Sequence, residues 1–252
     1  MSHSGKVSVE IKDGIGTATF FHPKKNSLPR SLLRELENCI TELGKNDDAH
    51  VIILASEGDG PFCAGASFDE LLSIKNFEQG KEFFMGFARV ILAVKKVPKF
   101  VIVRVQGKTV GGGVGVISAA DYALALNSAS IKLSELNLGI GPFVIEPAVA
   151  RKIGSGAFDA LTIDTEWRTA KWAKNHGLFA ETFDNIGDLD SALMSLAKKL
   201  AESSPEAMKE LKAVFWEGTE EWDRLLEKRA EVSGKLVLSE FTRKYIEAFR
   251  TK

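Results

Sequence analysis

The feature that most restricts how this chain can fold is the run Gly111-Gly112-Gly113-Val114-Gly115. It follows Phe100-Val101-Ile102-Val103-Arg104-Val105, apolar and β-branched, which reads as a buried strand. It precedes Val116-Ile117-Ser118-Ala119-Ala120, small and apolar, which reads as a packed helix. A strand that breaks into consecutive glycines and then a helix presents bare backbone N–H groups to a cleft. With no side chains in the way a ligand approaches the main chain closely, and the helix N-terminus favours negative charge. Twenty positions past Gly115, at the end of another short strand pattern, stands Glu135. An anion-stabilising turn plus one carboxylate is the candidate functional unit.

The rest of the chain frames that unit. Residues 6–21 alternate around Asp13-Gly14, a hairpin signal. Pro29 sits well for the first turn of a helix to about Gly44, with Leu32, Leu33, Leu36, Ile40 and Leu43 on one face. Val51-Ile52-Ile53-Leu54-Ala55 reads as a buried parallel strand. Helices are expected over 68–74 and 77–97, strands over 122–126 and 131–133, and a helix over 148–153. After Gly154 the pattern is almost wholly helical, including a helix capped by Ser204 with Pro205 at its first position. Strands alternating with helices, followed by helices alone, predict an α/β core with a helical tail.

Several motifs fail on spacing. Gly107-Lys108-Thr109 lacks the upstream glycine of a phosphate loop, because residue 102 is isoleucine. A dinucleotide fingerprint needs glycine at 116, which is valine. Gly65-Ala66-Ser67-Phe68-Asp69 has aspartate where a nucleophile elbow needs glycine. The four histidines are scattered without metal-ligand spacing, so no metal site is expected. With 33 basic and 34 acidic residues, no charge excess points to nucleic acid or an anionic membrane. Two cysteines, no secretory signal at the N-terminus and no apolar span predict a soluble protein of the cytoplasm.

What survives is a set of four segments in order. These are Phe62-Cys63-Ala64-Gly65-Ala66; Gln106-Gly107 with Gly111-Gly112-Gly113; Asp121; and Leu133-Ser134-Glu135-Leu136 with Gly139. Together they resemble the enoyl-CoA hydratase/isomerase (crotonase) superfamily, from the Lys25-Asn26-Ser27-Leu28 loop to the last helix. The resemblance implies a ββα spiral core over residues 1–190 and a C-terminal helical trimerisation region over 191–252. It implies a homotrimer or hexamer acting on an acyl-CoA or acyl carrier protein thioester, with no cofactor beyond the coenzyme A of the substrate. The two oxyanion-hole donors fall on the N–H groups of Ala66 and Gly112, each worth roughly 3 kcal/mol by analogy with measured oxyanion holes. Glu135 is then the catalytic carboxylate, and Lys25, Ala64, Gly111, Gly115 and Pro142 are expected to contact substrate. Lys24 and Lys25 are candidates for the coenzyme A phosphates, against the plainer reading of solvated loop lysines.

The departures matter. Hydratases of the superfamily carry two glutamates, whereas here Gly115 stands at the first position and only Glu135 is present. The usual aspartate of the Gly-Ala-Asp motif is Ser67. The loop Leu138 to Pro147 is similar to that of bacterial methylglutaconyl-CoA hydratases and polyketide-pathway dehydratases. The expected activity is (de)hydration of a short or branched enoyl thioester. A Δ3–Δ2 isomerase with a single base, a decarboxylase and a non-catalytic acyl-CoA-binding homologue are the alternatives. Glu146 is a speculative second acid, against the reading of a surface loop charge.

Overall fold

The computed structural model describes residues 5–250, with side chains to 248. Residues 1–4, on which the expectation of no secretory signal partly rests, and residues 251–252 lie outside the described residues. In chain order the elements are β1 (Lys6–Lys12), β2 (Ile15–Phe21), α1 (Arg30–Lys45), β3 (Val51–Ser56), α2 (Phe68–Ser73) and α3 (Phe77–Lys96). Then come β4 (Val101–Val105), β5 (Thr109–Val110), α4 (Gly112–Ala119), β6 (Tyr122–Leu126), β7 (Ser130–Lys132), α5 (Glu146–Ile153) and α6 (Ser155–Asp164). The chain ends with β8 (Arg168–Thr169), α7 (Ala170–Asn175), β9 (Glu181–Phe183), α8 (Ile186–Ala201), α9 (Pro205–Phe215), α10 (Trp222–Leu236) and α11 (Glu240–Arg250).

Six strands make one sheet in the order β1-β2-β3-β4-β6-β9, and β5-β7-β8 make a smaller one. Only the β1–β2 hairpin is antiparallel in the large sheet, turning at Asp13 and Gly14, both with positive φ. The parallel strands are buried on both faces, which is why β3 is apolar throughout. Alternate residues separate cleanly: Ile52 and Leu54 face the main core, while Val51 and Ile53 face a second core closed by Leu189, Leu193 and Ala197 of α8.

That second core corrects the expected division at residue 190. The boundary would fall inside α8, and α8 packs on β2, β3, β4, β6 and β9. The sheet's second face needs this helix, so it belongs to the α/β core. Two strands were also missed after Gly154: β8 and β9 have two and three residues, too few to show a period.

The helical tail is fastened from within. Lys212 on α9 and Asp121, at the α4–β6 junction, form an ion pair at 2.9 Å with side chains only 3% and 6% exposed. Lys212 Nζ also donates to the Lys99 carbonyl at 2.7 Å, and Asp121 Oδ2 accepts from the Val101 N–H at 2.7 Å. Asp121, one of the sequence landmarks, therefore holds the fold rather than the substrate. Among the described residues no helix is long and apolar enough to cross a membrane.

Candidate active site

The two glycine-bearing turns meet because β5 runs beside residue 63. The Cys63 N–H donates to the Lys108 carbonyl at 3.3 Å, and the Val110 N–H donates to the Cys63 carbonyl at 2.9 Å. A Cβ at Gly113 would lie 2.6 Å from Cys63 Cβ, so only glycine lets the turns come this close. Gly111 has φ of 55°, and its N–H donates to the Lys132 carbonyl at 2.9 Å. This left-handed kink starts α4 and turns the Gly112 N–H free of the strand ladder. Among the described residues neither the Gly112 nor the Ala66 N–H has an acceptor within the chain.

Both residues line one cavity of about 60 Å³, together with Ala64, Gly111, Glu135 and Pro142. Its walls are otherwise largely aromatic and aliphatic, with Phe68, Phe84, Phe87 and Phe143 prominent. Phe87 lies against the turn, and a Cβ at Gly112 would sit 2.1 Å from its Cε1. Small residues are thus required here by the ring as well as by any ligand.

Glu135 enters this cavity from the loop after β7, and its carboxylate lies over the Gly111 backbone. A Cβ on Gly111 would be 2.6 Å from Glu135 Oε1. Oε2 is buried with no hydrogen-bond partner among the described residues. Burial pushes the carboxyl up to about 7, and the backbone N–H groups of Glu135 and Ser134 offset only part of that. A carboxyl that changes charge near neutrality can both take and return a proton.

Two expectations change. Gly115 does not line the cavity: a Cβ there would lie 2.4 Å from Ile145 Cγ2, and it is Ile145 that lines the wall. The space a first glutamate would use is filled by a branched aliphatic side chain. Glu146, the speculative second acid, does not line the cavity either, and its Oε2 pairs with Arg229 Nη2 at 3.3 Å. Lys25 is exposed and outside the cavity, and its carbonyl accepts from the N–H of the lining residue Ala64 at 3.1 Å. Lys24 pairs with Asp69. Ser67 caps α2 by accepting from the Glu70 N–H, a task aspartate performs equally well.

Sequence reasoning missed Ile145, the α3 phenylalanines and Ser233 on α10 as cavity residues. Only the helical spacing of Phe84 and Phe87 carried any signal, and that spacing is also what an ordinary core helix shows.

The fold is that of a crotonase: the chain superposes on the crystal structure of an enoyl-CoA hydratase from Bacillus halodurans with a TM-score of 0.90. The match covers 96% of this chain and 99% of that one at 24% identity. Residues 10–249 match the enoyl-CoA hydratase/isomerase family model, and the chain belongs to that family. It is 26% identical to a probable enoyl-CoA hydratase of Bacillus subtilis over 248 residues, covering 98% of this chain and 96% of the relative. It is 29% identical to human mitochondrial methylglutaconyl-CoA hydratase over 200 residues, covering 78% of this chain and 59% of the human protein.

Proposed function

We propose that this chain adds or removes water across the α,β double bond of a short enoyl thioester, with Glu135 as the sole carboxylate that moves protons. The observation that carries this reading is the enclosed Glu135 carboxylate, poised near neutrality beside two backbone N–H groups without acceptors. In the hydration direction ionised Glu135 takes a proton from water, and the water oxygen bonds to the β-carbon. The π electrons move onto the thioester oxygen, which the Ala66 and Gly112 N–H groups stabilise as an enolate. Glu135 then returns the proton to the α-carbon, so the net change is one added water. The close phenylalanine, leucine and isoleucine walls around Glu135 support a small acyl group. Coenzyme A is the carrier the family implies, with exposed Lys25 beside the Ala64 turn as a cation for its phosphates. Assembly as a trimer or hexamer, which light scattering would test, and residence in a reducing compartment, which the free thiols Cys39 and Cys63 fit, complete the proposal.

One observation favours a second reading. Ile145 over Gly115 leaves the cavity with one carboxylate, which is all a Δ3–Δ2 isomerase needs to remove a γ-side or α-side proton and return it. A non-catalytic role fits less well, because a buried carboxylate oxygen without a partner is costly to keep for packing alone. The test is incubation of the pure protein and of Glu135→Gln with short α,β- and β,γ-enoyl-CoA esters, read by mass spectrometry. A mass change of one water that Glu135→Gln abolishes is the expected result. A moved double bond at constant mass selects the isomerase, and ligand bound but unchanged by either protein overturns the enzymatic reading.

A further inference from the structure

The cavity holds one more polar side chain whose placement is specific. Ser233 is 1% exposed, lies on α10 and lines the cavity wall. It is brought there by an unusually close helix approach: a Cβ on Gly80 of α3 would lie 2.7 Å from the Gly234 carbonyl oxygen. A Cβ on Gly234 would lie 2.6 Å from the Lys81 nitrogen. Lys81 then bridges Glu227 and Glu231 of α10 at 2.8 and 2.9 Å, fixing the helix in rotation. A buried helical serine commonly returns its hydroxyl to the carbonyl four residues back, as Ser118 does to Val114 at 2.8 Å. Ser233 makes no such bond, and among the described residues no group of the chain hydrogen-bonds its hydroxyl.

A hydroxyl left unbonded in a wall of phenylalanine, leucine and isoleucine disfavours a purely hydrocarbon ligand, because filling the cavity with one strips the hydroxyl of water and returns nothing. Among the described residues no lysine, arginine or histidine lines the cavity, and the cation nearest in sequence on the same face, Arg229 four residues earlier, is paired through Nη2 with Glu146. The described lining of the cavity itself thus carries no cation to neutralise a carboxylate. Resting on the acyl-thioester reading of this cavity, we propose that Ser233 is a specificity-determining residue that hydrogen-bonds a neutral oxygen, hydroxyl or carbonyl, borne by the acyl chain of the substrate. The enzyme would then act on an oxygenated short acyl group rather than a simple alkyl one.

Three saturated esters of similar length, which offer no double bond to hydrate, test this by calorimetric titration: butyryl-CoA, 4-hydroxybutyryl-CoA and succinyl-CoA, against the full chain and Ser233→Ala. The latter two esters cyclise on standing and are used freshly prepared. The expected result is that the wild type binds 4-hydroxybutyryl-CoA about fivefold more tightly than butyryl-CoA, the worth of one neutral hydrogen bond. Ser233→Ala should erase that preference and bind butyryl-CoA more tightly than the wild type does, because no hydroxyl is then stripped of water. Equal binding of butyryl- and 4-hydroxybutyryl-CoA by the wild type overturns the proposal, as does an equal loss for all three in Ser233→Ala. Succinyl-CoA binding tightest, and losing most in the variant, overturns the neutral-oxygen assignment. Failure of the wild type to bind any of the three, or coenzyme A itself, removes the acyl-thioester reading as a whole.

Discussion

Glu135→Gln is predicted to make the free protein more stable at alkaline pH and not at acid pH. The carboxyl rises from an ordinary 4.5 to about 7 in the folded chain because its end is enclosed, with Oε2 unpartnered. Between about pH 4.5 and 7 the folded chain therefore keeps a proton that the unfolded chain has released. Stability from this group is fully present below the unfolded value and is lost as pH rises through the folded one. Integrated from pH 5 to pH 8, the loss is about 2–3 kcal/mol. Glutamine does not titrate, so the wild type should weaken relative to Glu135→Gln by that amount over this range. Urea unfolding at the two pH values measures it directly, and in thermal unfolding it amounts to a relative shift of about 5–10 °C for a chain of this size. An identical stability difference at pH 5 and pH 8 would refute the argument, since it would mean that Glu135 is ionised in the folded chain throughout. The same protonation sets the activity profile: if Glu135 acts first as a base, kcat/KM should rise with pH through an apparent value near 7.

The other predictions concern packing around the site. Gly115→Glu cannot simply restore a second carboxylate, because its Cβ would press on Ile145; it should lose about 1–3 kcal/mol of stability in urea unfolding. Adding Ile145→Gly should recover part of that loss and raise water addition, and additivity of the two changes would contradict the contact. Gly112→Ala must displace Phe87 and shift the donor, so turnover should fall about a hundredfold, and unchanged kcat would remove Gly112 from the oxyanion site. Lys212→Met leaves Asp121 buried without its cation and should cost about 3–5 kcal/mol in urea unfolding, while a second change, Asp121→Asn, should restore much of it.

The site was legible in this sequence to the extent that its chemistry is carried by backbone. Glycines at 111, 112 and 113 announce a turn where side chains are not tolerated, and the structure places Gly111 at positive φ with Phe87 and Cys63 packed on its neighbours. Glu135 could be singled out only through its place in a family pattern, because an isolated carboxylate carries no local signature of burial. Gly115 misled for a related reason. The missing glutamate is visible in sequence, but the residue that takes over its space comes from thirty positions downstream.

Local pattern therefore determined the longer strands, the longer helices, the hairpin at Asp13-Gly14 and the two turns, since each depends on the periodicity or conformational freedom of adjacent residues. Tertiary structure decided the rest. It assigned α8 to the sheet's second face, gave Asp121 to a buried ion pair with Lys212, turned Glu146 toward Arg229, and brought Ser233 to the cavity through the Gly80–Gly234 approach. Those outcomes depend on which surfaces meet after the chain has folded back on itself, and burial, unlike periodicity, belongs to the pair of surfaces and to neither sequence segment alone.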